Sequence, residues 1–398
     1  MSATLLTPIS ECPQSLRPVH VLTLTPFYPS FEDETRGCFV AEPLELTERL
    51  GVRNTVFAVQ PFYRSRVNVS ASAPPAHWMR WFSLPSGFGL PSSGVFLFAK
   101  LLKKIRELRL STPIDLIHAH GALPCGHAAA LVSRELGIPF VVTVHGLDAF
   151  SANQVKGLVG MWAGRVSRHV YQLARRVVCV SEKVRQQVAN SLSNFTSTTV
   201  IHNGVDEKLF YQDDKAELSN TVLSVGNLIP TKGHALLLRA FLEIAQQFPE
   251  FVLKIIGEGP ELSRLRKLVT NLNLVHKVDF IGHQSRQEVA QAMQQCTIFA
   301  LPSSYEGLGC AYLEAMSTGK PVIGCSGQGI EDVISHGVNG WLVRPNDKSE
   351  LVAALSSLLA NVQLRRRLGN AARQTILQNF TLEHQSDRLS RVYRESAA

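Results

Sequence analysis

Residues 306–324 read EGLGCAYLEAMSTGKPVIG, and this stretch shows the fold class most clearly. A strand-like run, TIFALPS, precedes it, and the apolar positions after the glycines predict a helix from about Cys310 to Thr318. Glu306 then lies in the loop before the helix, and Glu314 lies about one turn inside it. Strand, loop and helix together form one unit of a parallel α/β sheet.

The loop between the two glutamates is suited to an anion. Its glycines leave the backbone N–H groups of residues 308–310 open at the helix N-terminus, where negative charge is stabilised. One carboxylate on each side of a phosphate would suit a nucleotide-sugar, with one acid on sugar hydroxyls and the other on the ribose. A capped helix with two solvated glutamates is the alternative that this stretch alone leaves open.

Two series of apolar runs, each alternating with helical patterns, predict two parallel sheets. The first series covers 20–27, 54–59, 115–120, 139–145, 176–181 and 199–204, and the second covers 221–228, 251–259, 277–283, 296–303, 320–325 and 340–343. A polar stretch near 204–220 separates them. We therefore predict an α/β protein with two Rossmann-like domains, residues 1–204 and 205–375. The tail reads as two helices that meet at 379–381, with Thr381 as an N-cap.

Composition places the chain among ordinary globular enzymes. It has 398 residues, of which 45% are hydrophobic and 18% charged. The N-terminus lacks a signal-peptide pattern and no run of 18 apolar residues occurs, so we expect neither export nor a membrane span. The seven cysteines form no CxxC motif and are expected to be reduced thiols of a cytoplasmic protein.

The net charge of +8 comes entirely from the first half of the chain. Residues 1–200 carry 20 Lys and Arg against 12 Asp and Glu, whereas residues 201–398 carry 20 against 20. Within residues 78–109, aromatic residues are interleaved with basic ones, which suits peripheral contact with an anionic membrane. An ordinary helix with core aromatics and a solvated basic face explains the same pattern. No nucleic-acid-binding module is present, so no nucleic-acid partner is expected.

The quoted stretch and four further motifs resemble the family-four retaining glycosyltransferases. The four are IDLIHAHG (114–121), VVTVHGLD (141–148), IHNGVD (201–206) and VGNLIPTKG (225–233). The segment GQGIEDVISHGVNGWLV (327–343) is similar to the branch that includes teichuronic-acid biosynthesis transferases. The resemblance implies the GT-B fold, two facing Rossmann-like domains with parallel sheets and a C-terminal crossover helix. Residues 376–398 would then pack back on the first domain.

The resemblance also implies roles for the residues that match. The catalytic set would be His145, Glu306 and Lys232. The donor-binding set would be Gly37, Gly226, Asn227, Lys232, Glu306, Leu308, Gly309, Cys310 and Glu314. The acceptor-binding set would be Arg36 and Asp148, and no metal would be bound.

Within these sets Glu306 and the 308–310 amides would orient sugar and phosphate, and Glu314 would take the ribose hydroxyls. Lys232 would hold the donor diphosphate, and His145 would approach the reacting face of the sugar. For three of these residues a purely structural role is an open alternative. Lys232 could be an exposed turn residue, His145 a buried structural histidine, and Asp148 a cap for the following turn.

One position departs from the family pattern. Asn227 stands where these enzymes usually have an arginine, five residues before the diphosphate lysine Lys232. An amide can donate a hydrogen bond to phosphate but supplies no positive charge. Another basic residue, for example Arg36, would have to compensate, or the leaving group would be held more weakly.

The expected activity is transfer of a sugar, with retention, from a UDP- or GDP-linked donor and without a cofactor. The expected acceptor is a polyprenyl-diphosphate-linked saccharide in cell-surface polysaccharide synthesis, at the inner face of the cell membrane. A transferase for a small soluble acceptor is the first alternative. A sugar-nucleotide epimerase and an inactive nucleotide-binding scaffold are the others.

Overall fold

The computed structural model describes residues 18–30, 33–63, 74–82, 89–109, 112–146, 157–192, 197–213, 215 and 219–398. Thirteen strands are present in these ranges: β1 Val19–Thr25, β2 Val52–Pro61, β3 Ala76–Trp81, β4 Leu116–His120, β5 Phe140–Val144, β6 Arg176–Cys179, β7 Thr198–Val200, β8 Thr221–Val225, β9 Val252–Ile256, β10 Val278–Gly282, β11 Ile298–Ala300, β12 Val322–Cys325 and β13 Trp341–Val343.

Twelve α-helices lie in the same ranges: α1 Cys38–Arg49, α2 Ser93–Arg109, α3 His127–Leu136, α4 Gly157–Leu173, α5 Glu182–Ser191, α6 His234–Gln247, α7 Leu262–Asn271, α8 Arg286–Gln295, α9 Cys310–Ser317, α10 Lys348–Ala360, α11 Val362–Asn379 and α12 Leu382–Ala397.

The strands form two separate parallel sheets. The first has the order β3-β2-β1-β4-β5-β6-β7, and the second has the order β10-β9-β8-β11-β12-β13. Adjacent strands pair in parallel throughout both sheets. Strands such as β4 and β5 are fully buried, as expected for a sheet covered by helices on both faces. The predicted α/β class with two Rossmann-like halves is confirmed.

The predicted crossover helix is confirmed as α12. The chain leaves the second half through α11, and Thr381 caps α12 by accepting a hydrogen bond from the His384 backbone N–H. The buried residues Leu389, Val392 and Tyr393 then pack in one apolar cluster with residues of the first sheet. The last helix therefore belongs to the core of the first half.

Two elements of the first half were not predicted. Strand β3 lies outside the six apolar runs of the first series, and helix α4 lies between the runs 139–145 and 176–181, where no helix was assigned. Alternating aromatic and polar residues in AHWMRW hide β3, since only Met79 and Trp81 are buried. Helix α4 exposes Leu158, Met161 and Trp162, which blurs its apolar face.

The aromatic residues of 78–109 have different environments. Trp81 is buried in the core, and Trp78 and Phe98 are partly buried. Phe82 and Phe96 are about half exposed, whereas Phe88 lies outside the described residues. The rings of Phe82 and Phe96 are in edge-to-face contact with centroids 5.2 Å apart, and Phe62 stacks on Phe82 with centroids 5.4 Å apart. Where the structure describes the chain, none of its helices is long and apolar enough to cross a bilayer.

Candidate functional site

The predicted site residues follow the carboxyl ends of strands from both sheets. His145 follows β5, the loop with Lys232 follows β8, and the loop with Glu306 follows β11. In open parallel sheets, ligands bind in the crevice outside these ends. The two sheets therefore direct their ligand-binding edges toward a common cleft.

Gly307 joins the two halves within this cleft. A β-carbon built on Gly307 would lie only 2.1 Å from the carbonyl oxygen of His145, so the two backbones are in direct contact. The Ser181 hydroxyl donates a hydrogen bond of 2.5 Å to the Gly307 carbonyl. The loop that carries Glu306 thus lies against the strand end that carries His145.

Lys232 and Glu306 form an ion pair. The Lys232 Nζ lies 2.5 Å from Glu306 Oε2, and the two side chains are 19% and 12% exposed. The Glu306 backbone N–H donates to the Gln328 side chain at 3.1 Å, which fixes the loop. The structure therefore places an ammonium beside a carboxylate at the cleft, where the cation can stabilise a phosphate.

The N-terminus of α9 has the form expected from the sequence. Gly309 is its N-cap with φ 90°, and no side chain caps the helix. Leu308 is buried behind the loop, and Cys310 accepts a 3.4 Å contact from the Asn203 amide. The helix dipole favours an anion at this end.

Glu314 is buried and paired with an arginine that the sequence interpretation missed. Arg286 Nη1 lies 2.8 Å from Glu314 Oε1, and Arg286 Nη2 lies 2.7 Å from Glu42 Oε1 on α1. Burial raises the pKa of Glu42 to about 7, with Arg286 acting against this rise. Arg286 opens α8, where a cation opposes the helix dipole, and this unfavourable placement is the one sequence signal of a buried partner.

Three histidines at the ends of β4 and β5 form a buried cluster. His120 Nδ1 lies 2.9 Å from His145 Nε2, and the His118 ring contacts that of His120 at 4.3 Å between centroids. His118 is hydrogen-bonded to Thr143 and to the Tyr393 hydroxyl, both at 2.7 Å. Burial lowers the pKa of His145 to about 3, so this side chain is neutral at pH 7. His145 has an orientation fixed by His120.

The other predicted donor residues surround the same loops. Gly226 follows β8 and lies against the aliphatic stem of Lys232, and Asn227 beside it is exposed. Gly37 is the N-cap of α1 with φ 74°, and a β-carbon there would clash with the Phe27 backbone. The geometry of this turn requires glycine.

Of the two predicted acceptor-binding residues, Arg36 lies in the described part of the chain and Asp148 does not. Arg36 donates a 3.2 Å hydrogen bond to the Pro26 carbonyl, so its guanidinium is turned toward the loop after β1. Asp148 lies outside the described residues. A different cation, Lys183 on α5, crosses to the second half, where its Nζ contacts the Gly327 carbonyl at 2.6 Å and the Gln328 side chain at 2.5 Å.

A cleft of about 510 Å³ lies between the halves, and its lining does not include Lys232, Glu306 or His145. It is lined by α1, by the connection at Asp206–Leu209 and by the first residues of α8 and α12. Arg286 and Glu42 are both part of its wall. In the ranges that the structure describes, no three His, Cys, Asp or Glu side chains are grouped as a metal site would require.

Two family models match the chain, one on each half. "Glycosyltransferase Family 4" matches residues 44–209, and "Glycosyl transferases group 1" matches residues 205–375. An uncharacterised glycosyltransferase of Methanocaldococcus jannaschii is 32% identical over 301 residues, which cover 74% of this chain and 79% of that protein. The match extends across both sheets.

Two further proteins resemble the chain less closely. The N-acetyl-alpha-D-glucosaminyl L-malate synthase of Bacillus anthracis is 26% identical over 304 residues, covering 74% of this chain and 78% of that enzyme. The Anabaena protein HepE, solved in complex with UDP, superposes with a TM-score of 0.73 at 20% identity and covers 95% of this chain and 100% of its own. HepE shares the fold.

Proposed function

Because the chain belongs to the glycosyltransferases of the group 1 and family 4 type, we propose that it transfers a sugar with retention from a nucleoside diphosphate donor. One observation carries this proposal. In the second half, Lys232 on the loop after β8 pairs with Glu306 on the loop after β11, and the next residue of that second loop, Gly307, contacts the His145 backbone of the first half. A donor at this junction would have its phosphate beside the cation and its sugar between the two domains.

The donor would be held by groups on three sides. Lys232 and the open N-terminus of α9 would stabilise the diphosphate, and Glu306 would accept hydrogen bonds from the sugar hydroxyls. The buried carboxylate of Glu314 would accept the paired ribose hydroxyls. UDP is the first nucleotide to test, since HepE binds it within the same fold.

The reaction would proceed at the front face of the sugar. Among the site residues that the structure describes, no carboxylate or hydroxyl is placed as an obvious nucleophile, so the acceptor oxygen would attack as the phosphate departs. The departing phosphate oxygen would take the proton of the acceptor hydroxyl. Neutral His145 would contact the sugar and contribute no charge. Cations and helix dipoles would stabilise the leaving group without a metal ion.

The acceptor we propose is a lipid-linked saccharide. The cluster of Phe62, Phe82 and Phe96 is half exposed, and α2 adds the basic residues Lys100 and Lys103 nearby in sequence. Exposed aromatics next to basic residues suit an anionic lipid surface. The rival is a small soluble acceptor, and the relative from Bacillus anthracis, named for L-malate, gives that rival support.

The first experiment measures nucleotide binding in EDTA. Purified protein is titrated with UDP, GDP, ADP and CMP, and the melting temperature is followed, since a ligand that binds only the folded state raises it. We expect a saturable shift with one nucleoside diphosphate, and loss of that shift in Glu314→Ala. A shift that appears only after a divalent metal is added would contradict the metal-free proposal. The absence of a shift with any of the four nucleotides would contradict the proposed donor site.

The second experiment separates the transferase from the epimerase. The donor that binds is incubated with and without an acceptor lipid extract, and the sugar nucleotide is analysed by NMR. Transfer consumes donor only when acceptor is present. Conversion of the sugar nucleotide to its epimer in the absence of acceptor would instead establish the epimerase.

A further inference from the structure

One guanidinium connects two carboxylates from opposite halves of the molecule. Arg286 opens α8 in the second half, and it contacts Glu314 on α9 of the same half at 2.8 Å and Glu42 on α1 of the first half at 2.7 Å. The three side chains are 15%, 11% and 23% exposed, respectively. Two members of this ion-pair triad, Arg286 and Glu42, line the cleft of about 510 Å³ between the halves.

Arg286 is held in one orientation. Besides the two carboxylates, its Nη1 contacts Cys38 Sγ at 3.4 Å, and its guanidinium carbon lies 5.0 Å from the centre of the Phe210 ring. These contacts come from α1, α9 and the segment between the domains. A planar guanidinium can satisfy two carboxylates at once, which a lysine ammonium does less well.

We propose that Arg286 is a positioning residue for the nucleotide: it holds Glu314 in the orientation that receives the ribose hydroxyls, and through Glu42 it links that orientation to the position of the first domain. The inference rests on the proposed function, since it assigns a ribose to Glu314. It adds a residue that none of the sequence motifs contains. It also explains why a cation is kept at the start of α8 against the helix dipole.

Loss of the Arg286 guanidinium would leave the charges of Glu42 and Glu314 uncompensated. Two partly buried carboxylates, Glu42 and Glu314, would then face each other across the domain boundary without a counter-charge. Like charges in such a site repel, and one of the two takes up a proton or turns away. Either response removes Glu314 from the orientation in which it can accept two hydrogen bonds. Ribose recognition should therefore suffer more than phosphate binding, which depends on Lys232.

The test compares UDP with 2′,3′-dideoxy-UDP, which lacks the ribose hydroxyls. Calorimetric titration gives the dissociation constant of dideoxy-UDP divided by that of UDP. This ratio is measured for wild type and for the variants Arg286→Gln, Arg286→Lys, Glu42→Gln and Arg264→Gln. In wild type we expect dideoxy-UDP to bind about tenfold to a hundredfold more weakly, the usual effect of losing hydrogen bonds to a charged group. In Arg286→Gln the ratio should fall close to one, and Arg286→Lys should give an intermediate value.

The Glu42 and Arg264 variants complete the comparison. Glu42→Gln should lower the ratio by less than Arg286→Gln, because the contact between Arg286 and Glu314 remains. Arg264→Gln is the matched control, since Arg264 pairs with Glu261 on the surface of the same domain. It should keep the wild-type ratio. A wild-type ratio in Arg286→Gln would overturn the proposal while leaving the proposed function intact.

A double variant separates positioning from folding. Arg286→Gln with Glu42→Gln removes the repulsion, so we expect its melting temperature to recover toward wild type while the ratio stays near one. Recovery of the ratio as well would show that Arg286 only neutralises Glu42, and the positioning role would be overturned. If wild type itself does not distinguish the two nucleotides, the assignment of Glu314 to the ribose fails, and the proposal falls with it.

Discussion

Lys232 and Glu306 lie 2.5 Å apart, and a bound diphosphate would change the charges around both. The lysine would gain a second anionic neighbour, and the glutamate would exchange part of its ion pair for sugar hydroxyls. Because both side chains are mostly buried, this exchange takes place away from bulk water, where each charge counts for more. The pair keeps the lysine oriented before the donor arrives.

Replacing Lys232 with Met tests the role of this cation. The change removes the charge and keeps most of the side-chain volume, so we expect UDP to bind about tenfold to a hundredfold more weakly, as for loss of a charged hydrogen bond. Calorimetry in EDTA measures the effect. Lys348→Met is the matched control, since Lys348 forms an exposed pair with Glu243. Equal loss of binding in both variants would refute a specific role for Lys232.

The sequence predicts residues that act through local geometry better than those that act through distant partners. The positions of Glu306, Gly309 and Glu314 around a helix N-terminus follow from glycine spacing and helix periodicity. Arg286 and Glu42 carry no such pattern, because their contact joins two helices that are far apart in the chain. For Asn227 the sequence is more informative than the structure. The sequence shows that an expected positive charge is missing, whereas the structure shows only that the Asn227 side chain is exposed.

At the scale of elements, the close approach of the loop between β11 and α9 to the first half requires a glycine at position 307. A β-carbon on Gly307 would meet the His145 carbonyl at 2.1 Å, so Gly307→Ala should push the two domains apart and weaken UDP binding by more than about tenfold. Small-angle X-ray scattering should show a larger radius of gyration. Gly137→Ala is the control, because Gly137 has φ 70° but open space around its Cα. An unchanged radius and affinity in Gly307→Ala would contradict the prediction.

The aromatic cluster beside α2 gives a second prediction at this scale. Burying one Phe side chain is worth roughly 1.5–3 kcal/mol, so replacing Phe62, Phe82 and Phe96 together with Ser should lower partition onto vesicles containing anionic lipid by more than about tenfold. Flotation with liposomes of phosphatidylglycerol and phosphatidylcholine measures it. A triple change of the exposed Val275, Val338 and Val362 to Ser, all in the second half, is the control. Equal flotation of all three proteins would favour the soluble acceptor.

Among the elements, those with a clear period were predictable and those with a mixed surface were not. Strands β4 and β5 are buried along their whole length and consist mainly of apolar residues, because both of their faces are covered, and the sequence identifies them directly. Strand β3 lies at the edge of the sheet, and its polar and aromatic residues alternate. Such a sequence is equally compatible with a loop. Edge position and partial burial, which depend on tertiary neighbours, explain the difference.

At the scale of the whole molecule, the histidine cluster connects the last helix to the first sheet. Tyr393 of α12 is bonded to His118, whose ring contacts that of His120, and His120 is bonded to His145. His118 and His120 are buried and His145 is partly buried. Desolvation lowers the pKa of His118 and of His145 to about 3 and shifts that of His120 in the same direction. The molecule therefore folds with three imidazoles that are neutral at pH 7.

The sign of the resulting pH dependence follows from proton counting. In the unfolded chain a histidine takes up a proton below about pH 6.5, whereas the folded His118 and His145 rings stay neutral until about pH 3. Between these values the unfolded state binds more protons, so stability is complete above the unfolded pKa and is lost as the pH falls. Each histidine should contribute a slope of up to about 1.4 kcal/mol per pH unit.

The measurement is guanidinium unfolding at intervals from pH 7.5 to 5.0, with nucleotide absent. We expect the free energy of unfolding to fall steadily below about pH 6.5, and His118→Gln to reduce the slope by up to about 1.4 kcal/mol per pH unit, since one buried ring is removed. Part of the slope should remain in this variant, because His20, His127 and His234 also have lowered pKa values. His276→Gln, at an exposed position, should keep the wild-type slope. A slope that is equal in both variants would mean that the buried cluster does not control acid stability. A reduced slope in His118→Gln alone would show that the contact between crossover helix and first sheet depends on neutral histidines.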